Sequence, residues 1–289
     1  MRFFADRSTR IVIYGVSSRS GKMIADDYEK KGLNLIGGVV PGEGGSWGVD
    51  GRIPIFDSLH AAAAAVSPDG VVVAVPALDS YQAILETINQ GVKLIICVTR
   101  NIPIKDLARI RTIIQKRDIT FLGPDTFGIF SPGNFSIGTF PLMDIKKGRV
   151  GLISRSGQIA FESASLISEN GNGISKAIGL GGGAEIGVGL IDILQLFDQD
   201  PETDQIVLLE DSCGDYDQVT LAYLTATLSK PIIAYLPEIK NPASAANTYA
   251  GLRDKEKFQQ YLTKKDAIRA AGIPLADNLI ALSNLLKRF

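Results

Sequence analysis

Residues 149–162 read RVGLISRSGQIAFE, a short apolar run followed by a polar turn and an amphipathic segment. Val150–Ile153 predicts a buried strand, Ser154–Gly157 a tight turn, and Gln158 the start of a helix. Such a strand–turn–helix aims free backbone N–H groups and the positive end of the helix dipole at one point, which suits a phosphate or carboxylate. The same serines also suit a helix cap that merely joins two elements. The stretch alone leaves both interpretations open.

A second turn of this kind supports the ligand-binding interpretation. GVSSRSG at residues 15–21 follows the β-rich run RIVIY and precedes a helical segment. Four further loops are rich in glycine, proline and small hydroxyl residues, and they occupy residues 40–48, 75–80, 99–103 and 123–128. In open α/β sheets ligands bind beyond the carboxyl ends of the strands, where these loops are expected. The sequence therefore predicts a site for a nucleotide-like ligand.

The first turn lacks the G-x-G-x-x-G pattern, and no acidic residue clearly ends the second strand. Both features are expected where a dinucleotide is bound, so an NAD dehydrogenase is disfavoured. Arg19 and Lys22, at the start of the first helix, instead indicate a ligand rich in phosphate.

Composition limits the function classes further. The 289 residues are 45% hydrophobic and 21% charged, with a net charge of −1, so no basic surplus exists to bind nucleic acid. The single histidine, His60, rules out a multi-histidine metal site, and we expect no metal in this chain. Cys97 and Cys213 lie far apart with no signal peptide, which predicts reduced thiols in a cytoplasmic protein. No apolar run is long enough to span a membrane.

Apolar runs alternate with helical segments along the whole chain, which predicts an α/β fold with parallel sheets covered on both faces. Residues 1–125 predict a Rossmann-like domain. Residues 126–148 belong to an irregular stretch, 123–148, that we interpret as a linker or crossover. Residues 149–289 restart the pattern and predict a flavodoxin-like domain.

Taken in order, the loops resemble those of the succinyl-CoA synthetase alpha-subunit family, the nucleoside-diphosphate-forming acyl-CoA synthetases. The matching stretches are GVSSRSG, GGVVPGEGG, VPAL, VTRNIP, GPDTFG, SRSGQIAFE, IGLGGGAEIG, FDQDPETDQIVLL and SKPIIAYL. The likeness covers nearly the whole chain.

The resemblance implies an N-terminal CoA-binding domain, a C-terminal ligase domain and an ATP-grasp beta subunit that binds ATP or GTP with Mg. In that family a histidine carries phosphate to a small carboxylic acid, and CoA then attacks the acyl phosphate. The implied phosphate-binding residues are Ser154, Arg155, Ser156 and Gly157. The implied CoA-binding residues are Gly15, Ser17, Ser18, Arg19, Ser20, Gly21, Val40, Pro41, Glu43, Val75, Pro76, Thr99, Arg100, Asp125 and Thr126.

The sequence departs from the family at the histidine, whose position falls on Tyr249. The glutamate that holds the histidine falls on Asp211 or Glu210. A tyrosine hydroxyl, with a pKa near 10, is a poor phosphate acceptor at neutral pH, so the usual phosphohistidine mechanism is not expected.

The CoA loops differ as well. Glu43 stands where the family has a lysine, and Arg100 stands where it has a glutamate. Asp125–Phe127 replaces the family's N-C-P. Either Glu43 and Arg100 have exchanged signs as a compensating pair, or the ligand has changed.

Three functions remain. The chain is a subunit of an acid–CoA ligase, with the acid phosphorylated directly on the partner. Alternatively, it is a non-catalytic relative that binds CoA or a related nucleotide as a sensor or scaffold. The third candidate is a ligase or acyl-transfer subunit with an acceptor other than CoA.

Overall fold

The computed structural model of the chain describes residues 5–30, 33–141, 144–182, 187–209, 226–239 and 249–286. Their strands form two sheets of seven strands each, one after the other along the chain. The strands of the first sheet are β1 Ile11–Tyr14, β2 Leu35–Val39, β3 Trp47–Gly48, β4 Ile53–Phe56, β5 Gly70–Val73, β6 Leu94–Cys97 and β7 Thr120–Leu122. The helices between them are α1 Arg19–Lys30, α2 Leu59–Val66, α3 Ser80–Asn89 and α4 Ile104–Ile114.

The first sheet has the order β3-β4-β2-β1-β5-β6-β7. From β4 onward this is the 3-2-1-4-5-6 order of a doubly wound nucleotide-binding fold. All pairs among these six strands are parallel, and every residue of β1, β5 and β6 is buried. Continuous apolar strands are buried in this way because helices cover both faces of a parallel sheet. The predicted Rossmann-like domain is confirmed.

The second sheet has the order β14-β13-β12-β10-β11-β8-β9. Strands β10 to β14 pair in parallel and lie side by side in the order β11-β10-β12-β13-β14. Numbered along the chain, this is the 2-1-3-4-5 order of flavodoxin-like folds. The predicted flavodoxin-like character is thereby confirmed. Its strands are β8 Gly128–Ser131, β9 Phe135–Gly138, β10 Lys147–Ser154, β11 Ile174–Gly179, β12 Gln205–Leu209, β13 Ile232–Tyr235 and β14 Leu275–Ala276. The described helices beside it are α5 Gly157–Glu169, α6 Leu190–Gln199, α7 Tyr249–Ala270 and α8 Leu279–Leu286.

The expectation of an irregular connection over residues 123–148 is wrong for residues 128–138. They form the antiparallel hairpin β8–β9, which joins the second sheet through β8 and β11. Asn134 N–H donates to Ser131 C=O across the turn, and Pro132 and Gly133 (φ +69°) occupy its centre, as a type II turn requires. The division of the chain at residues 125 and 148 stays a prediction.

The two sheets are packed against each other. One hydrophobic cluster contains buried residues of both, including Ile13 of β1 and Ile153 of β10. The buried hydroxyl of Tyr28, on α1, accepts a hydrogen bond from Gly138 N–H of β9 at 2.9 Å. Burial raises the pKa of Tyr28 well above its usual range, so the phenol stays neutral at this junction. Buried contacts therefore join the two sheets.

Candidate ligand-binding site

A cavity of about 970 Å³ lies between the two sheets. The loops after β1, β5, β6 and β7 form one side, and the turns after β10 and β11 form the other. Its volume is at the upper end of the range for small-molecule sites. The charged residues that line it are three arginines and one aspartate, so the cavity attracts anions. They are Arg19, Arg100, Arg155 and Asp125.

The first loop brings the start of α1 to the cavity. Arg19 and Ser20 are exposed and line it, whereas the hydroxyl of Ser18 donates to Ala74 C=O at 2.6 Å and accepts from Gly21 N–H at 3.0 Å. Gly15 has φ +88°, and a Cβ there would lie 2.7 Å from Ala74 O, so only glycine fits this close approach. Of the residues predicted in this loop, those facing the cavity are Arg19 and Ser20. Ser18, Gly15 and Gly21 shape the turn, and Ser17 is exposed outside the cavity lining.

The loops after β5 and β6 are joined by Thr99. Its hydroxyl donates to Val75 C=O at 2.8 Å, and Val75, Pro76 and Thr99 all line the cavity as predicted. Beside them Arg100 Nε donates to Asp125 Oδ1 at 2.7 Å. Asp125 has φ +55°, and its N–H donates to Thr99 C=O.

Arg100 is ion-paired with Asp125, whereas Glu43 is exposed and does not line the cavity. Whether Glu43 and Arg100 have exchanged signs, or the ligand has changed, stays a prediction. The backbone N–H groups of Gly42 and Gly44 donate to Asp57 Oδ1, at 3.0 and 2.8 Å. A carboxylate of the chain thus engages the amides of the glycine-rich loop.

The other two predicted residues of this loop also lie outside the cavity lining, with Val40 buried and Pro41 exposed.

Thr126 connects the two domains. Its hydroxyl donates to Gly179 C=O, at the end of β11, at 2.7 Å and accepts from Gly128 N–H at 2.9 Å. Its own N–H donates to Cys97 C=O, at the end of β6. Thr126 is 3% exposed, so its hydroxyl is engaged within the protein although the residue lines the cavity.

The predicted phosphate-binding turn lies on the opposite side. Ser154 Oγ donates to Ser156 C=O at 2.9 Å and accepts Ser156 N–H at 3.0 Å, which fixes the turn. Ser156 caps α5 by accepting from Ile159 N–H. Arg155 is buried, and its Nη1 donates to Gly181 C=O at 3.4 Å. Arg155, Ser156 and Gly157 line the cavity, whereas Ser154 is not part of its lining.

An aromatic wall beside this turn was not predicted from the sequence. It consists of Phe127, Phe140 and Phe161, of which Phe127 and Phe161 line the cavity. The ring centroids of Phe127 and Phe140 are 5.2 Å apart, and those of Phe140 and Phe161 are 6.3 Å apart. The three residues come from two loops and a helix, so no local sequence period links them.

The predicted catalytic residues fall largely outside the described part of the chain. Glu210 and Asp211 lie outside it, and so does the side chain of Tyr249, whose backbone begins α7. His60 is exposed on α2, where its Nδ1 is 3.2 Å from Gln90 Oε1, and it is not part of the cavity lining.

Burial raises the pKa of the Cys97 thiol to about 12, so it is not a nucleophile at neutral pH. The described residues contain no group of three or more potential metal ligands. Among them we also find no helix that could span a membrane.

Comparisons with known proteins match both domains. Residues 6–101 match a family model described as a CoA binding domain, and residues 147–289 one described as a succinyl-CoA ligase like flavodoxin domain. The alpha subunit of succinate–CoA ligase (ADP-forming) of Aquifex aeolicus is 29% identical over 96% of this chain and 91% of its own length. The malate–CoA ligase alpha subunit of Methylorubrum extorquens is 29% identical over 96% and 94%.

Solved structures share the fold. ATP citrate lyase of Methanothrix soehngenii, in complex with citrate and coenzyme A, superposes with a TM-score of 0.79 at 20% identity. The match covers 99% of this chain and 50% of that one, so this chain spans half the length of the lyase. A dinucleotide-forming acetyl-coenzyme A synthetase of Ca. Korarchaeum cryptofilum has a TM-score of 0.71 at 20% identity, covering 94% of this chain and 58% of its own.

Proposed function

Because the chain belongs to the family of succinyl-CoA synthetase alpha subunits, we propose that it is the CoA-binding subunit of an acid–CoA ligase. It works with an ATP-grasp beta-type subunit, which uses ATP or GTP with Mg to convert a carboxylic acid into an acyl phosphate. The proposal is supported by one observation, the arginine-lined cavity between the loops that follow strands of the first sheet and the start of α5.

The residues of the cavity fit CoA. Arg19 and Arg100 supply positive charge for phosphate groups, and a guanidinium binds a phosphate through paired hydrogen bonds. Val75, Pro76 and Met23 supply an apolar surface beside them for the uncharged part of the ligand. CoA supplies the thiol that attacks the acyl phosphate.

The start of α5 fits the reacting phosphoryl or carboxyl group. N–H groups in the first turn of a helix have no partner within the helix and point toward an anion at its end. Ser156 and Gly157 line the cavity at this point, and the buried guanidinium of Arg155 lies beside them. Donors fixed in advance stabilise the charge that develops as the acyl phosphate is attacked. Ser154 contributes by holding the turn.

The proposal does not include a phosphohistidine. Tyr249 occupies the position that the family resemblance assigns to the histidine, and the single histidine of the chain, His60, is exposed on α2 away from the cavity lining. Phosphate is therefore transferred to the acid on the partner, and the acyl phosphate reaches the start of α5.

The same substitution favours one alternative, a non-catalytic subunit that binds CoA or a related nucleotide as a sensor or scaffold. The two functions share the cavity and differ in turnover. A ligase releases ADP or GDP in the presence of the acid and the partner, whereas a sensor binds CoA without releasing either.

Calorimetric titration of the purified chain with CoA tests the binding step. We expect micromolar affinity, reduced at least about tenfold by Arg100→Gln, because a hydrogen bond to a charged group contributes about 1.5–3 kcal/mol. Arg109→Gln is the matched control, since Arg109 is also an exposed arginine near an aspartate, Asp106, but lies outside the cavity. No heat of binding from the native chain would show that the cavity serves another ligand.

Turnover is tested by adding the beta-type partner, CoA and a series of carboxylic acids, and by measuring ADP and GDP release. Release that depends on both the acid and CoA supports the ligase. CoA binding without release by any acid would overturn the ligase in favour of the sensor.

A further inference from the structure

Two phenyl rings, of Phe127 and Phe161, flank the start of α5 at one end of the cavity. A Cβ placed on Gly157 would lie 3.5 Å from Phe127 Cβ, so the Phe127 side chain contacts the first residue of the helix. Phe161 lies four residues after Gly157, one helical turn along the same face. Gly157 and Phe161 both line the cavity, so the Phe161 ring borders the same space as the start of α5. A group bound at these N–H donors is therefore bordered by aromatic surface.

The rings are held in place from behind. Phe140 is 1% exposed, and its centroid lies 4.5 Å from that of Phe130 in a stacked arrangement. Phe127 is 4% exposed, whereas Phe161 is only partly buried and offers more of its surface to the cavity. Pro141 extends the same lining without adding a polar side chain. The wall is apolar and is backed by buried rings.

The wall suits one carboxylate and disfavours a second. The first carboxylate can bind at the N–H donors that begin α5, beside Arg155. Asp125, which lines the same cavity, engages Arg100 through Nε at 2.7 Å. A second carboxylate placed against the phenyl rings would lose water without gaining a hydrogen-bond donor there, which raises its free energy.

We propose that the acid substrate is a monocarboxylate with an aryl or other large apolar body, and that Phe161 determines this specificity. The inference rests on the proposed ligase function and names its substrate class. The carboxyl end, which arrives as the acyl phosphate made on the partner, binds at the first turn of α5, and the apolar body packs against Phe127 and Phe161. The two comparison relatives are named for succinate and malate, which are dicarboxylates, so the proposal gives this chain a different class of acid.

The test compares succinate with 3-phenylpropanoate, which replaces one carboxylate of succinate by a phenyl ring on the same two-carbon chain. Each acid is titrated into the purified full chain and followed by ligand-observed NMR. We expect 3-phenylpropanoate to bind at least about tenfold more tightly than succinate, because the ring buries apolar area at the wall. Phe161→Ala and the milder Phe161→Leu both reduce this preference, and the alanine variant reduces it at least about fivefold.

Phe258→Ala is the matched control. Phe258 is also a partly buried aromatic residue in a ring pair, with Tyr261 at 6.1 Å, but it lies on α7 and does not line the cavity. We expect it to leave the preference unchanged. A thermal melt of each variant shows whether it is folded, and Phe161→Leu serves if Phe161→Ala is not.

CoA titration of the same samples separates the inference from the function it rests on. CoA binding together with equal or tighter binding of succinate overturns the aryl-acid inference and leaves the ligase proposal standing. A preference for the aryl acid that survives in both Phe161 variants overturns the role of Phe161. Failure of the chain to bind CoA removes the proposed function, whatever the acids do.

Discussion

Replacing Thr126 by valine should destabilise the junction of the two domains. The side chains have nearly the same shape, but valine has no hydroxyl. The Gly128 N–H then loses its acceptor at 2.9 Å, and the Gly179 C=O loses its donor at 2.7 Å. Thr126 is 3% exposed, so water has little access to replace either bond.

The magnitude follows from the two groups left unpaired. A buried polar group without a partner costs about 1–3 kcal/mol, and the carbonyl costs less than the N–H because its second lone pair can find another donor. The expected loss in the free energy of unfolding is at least about 2 kcal/mol. Thr126→Ser keeps the hydroxyl and removes one methyl, for which about 1 kcal/mol is expected.

Urea unfolding of the native chain and both variants, followed by circular dichroism, measures these losses. CoA titration of the same samples then reports on the site, because Thr126 holds the loop that carries Asp125. We expect the valine variant to lose more stability and more CoA affinity than the serine variant. Equal or smaller losses for valine would refute the view that the hydroxyl joins the domains.

Three further predictions concern groups outside the cavity. Lys176 and Asp200 form a buried ion pair at 2.8 Å. Lys176→Met should lower the free energy of unfolding, measured in urea, by about 3–5 kcal/mol, because it leaves a buried carboxylate without its cation. A loss below about 1 kcal/mol would show that water reaches the pair. Hydrogen bonds from Lys176 and then Lys147 lower the pKa of Glu202 below 4.5. A group whose pKa is lower in the folded than in the unfolded chain stabilises the fold above its unfolded pKa. This contribution is lost as the pH falls through the folded pKa, so the free energy of unfolding should decline more steeply below pH 4.5 in the native chain than in Glu202→Gln. Cys97, whose pKa burial raises to about 12, should stay unmodified by iodoacetamide at pH 8 until urea is added, as peptide mass spectrometry can show; labelling of the folded chain would contradict its burial.

The parts of the fold with a regular local pattern could be predicted from the sequence. The bounds of α5, Gly157–Glu169, and of β11, Ile174–Gly179, agree with the apolar runs and the capping residues that delimit them. β4 was missed because Pro54 interrupts a run of only four residues, and proline is normally excluded from sheet interiors. It is tolerated where β4 pairs with the two-residue β3. The hairpin β8–β9 was missed although Ser131–Asn134 carries a recognisable turn sequence.

The site was predicted where each residue contributes through its own loop, and was missed where residues distant in sequence pack together. Arg19, Val75 and Arg100 line the cavity because each follows a parallel strand, a position that periodicity predicts. Phe127 and Phe161 come together through Phe140, within one hydrophobic cluster of the second sheet, and no local pattern encodes this packing.

The engagement of Arg100 by Asp125 shows how charge is distributed in the cavity. From the sequence alone, Glu43 and Arg100 could form a compensating pair with exchanged signs, and the glycine-rich loop that carries Glu43 would then line the site. Asp57 accepts hydrogen bonds from that loop instead. Arg100 follows β6, and in the described part of the chain its hydrogen bond to Asp125 is made through Nε. In the proposed function the terminal nitrogens of Arg100 bind a phosphate of CoA, and the aromatic wall at α5 contacts the uncharged end of the acid. One cavity would then hold both substrates so that they react at a single point.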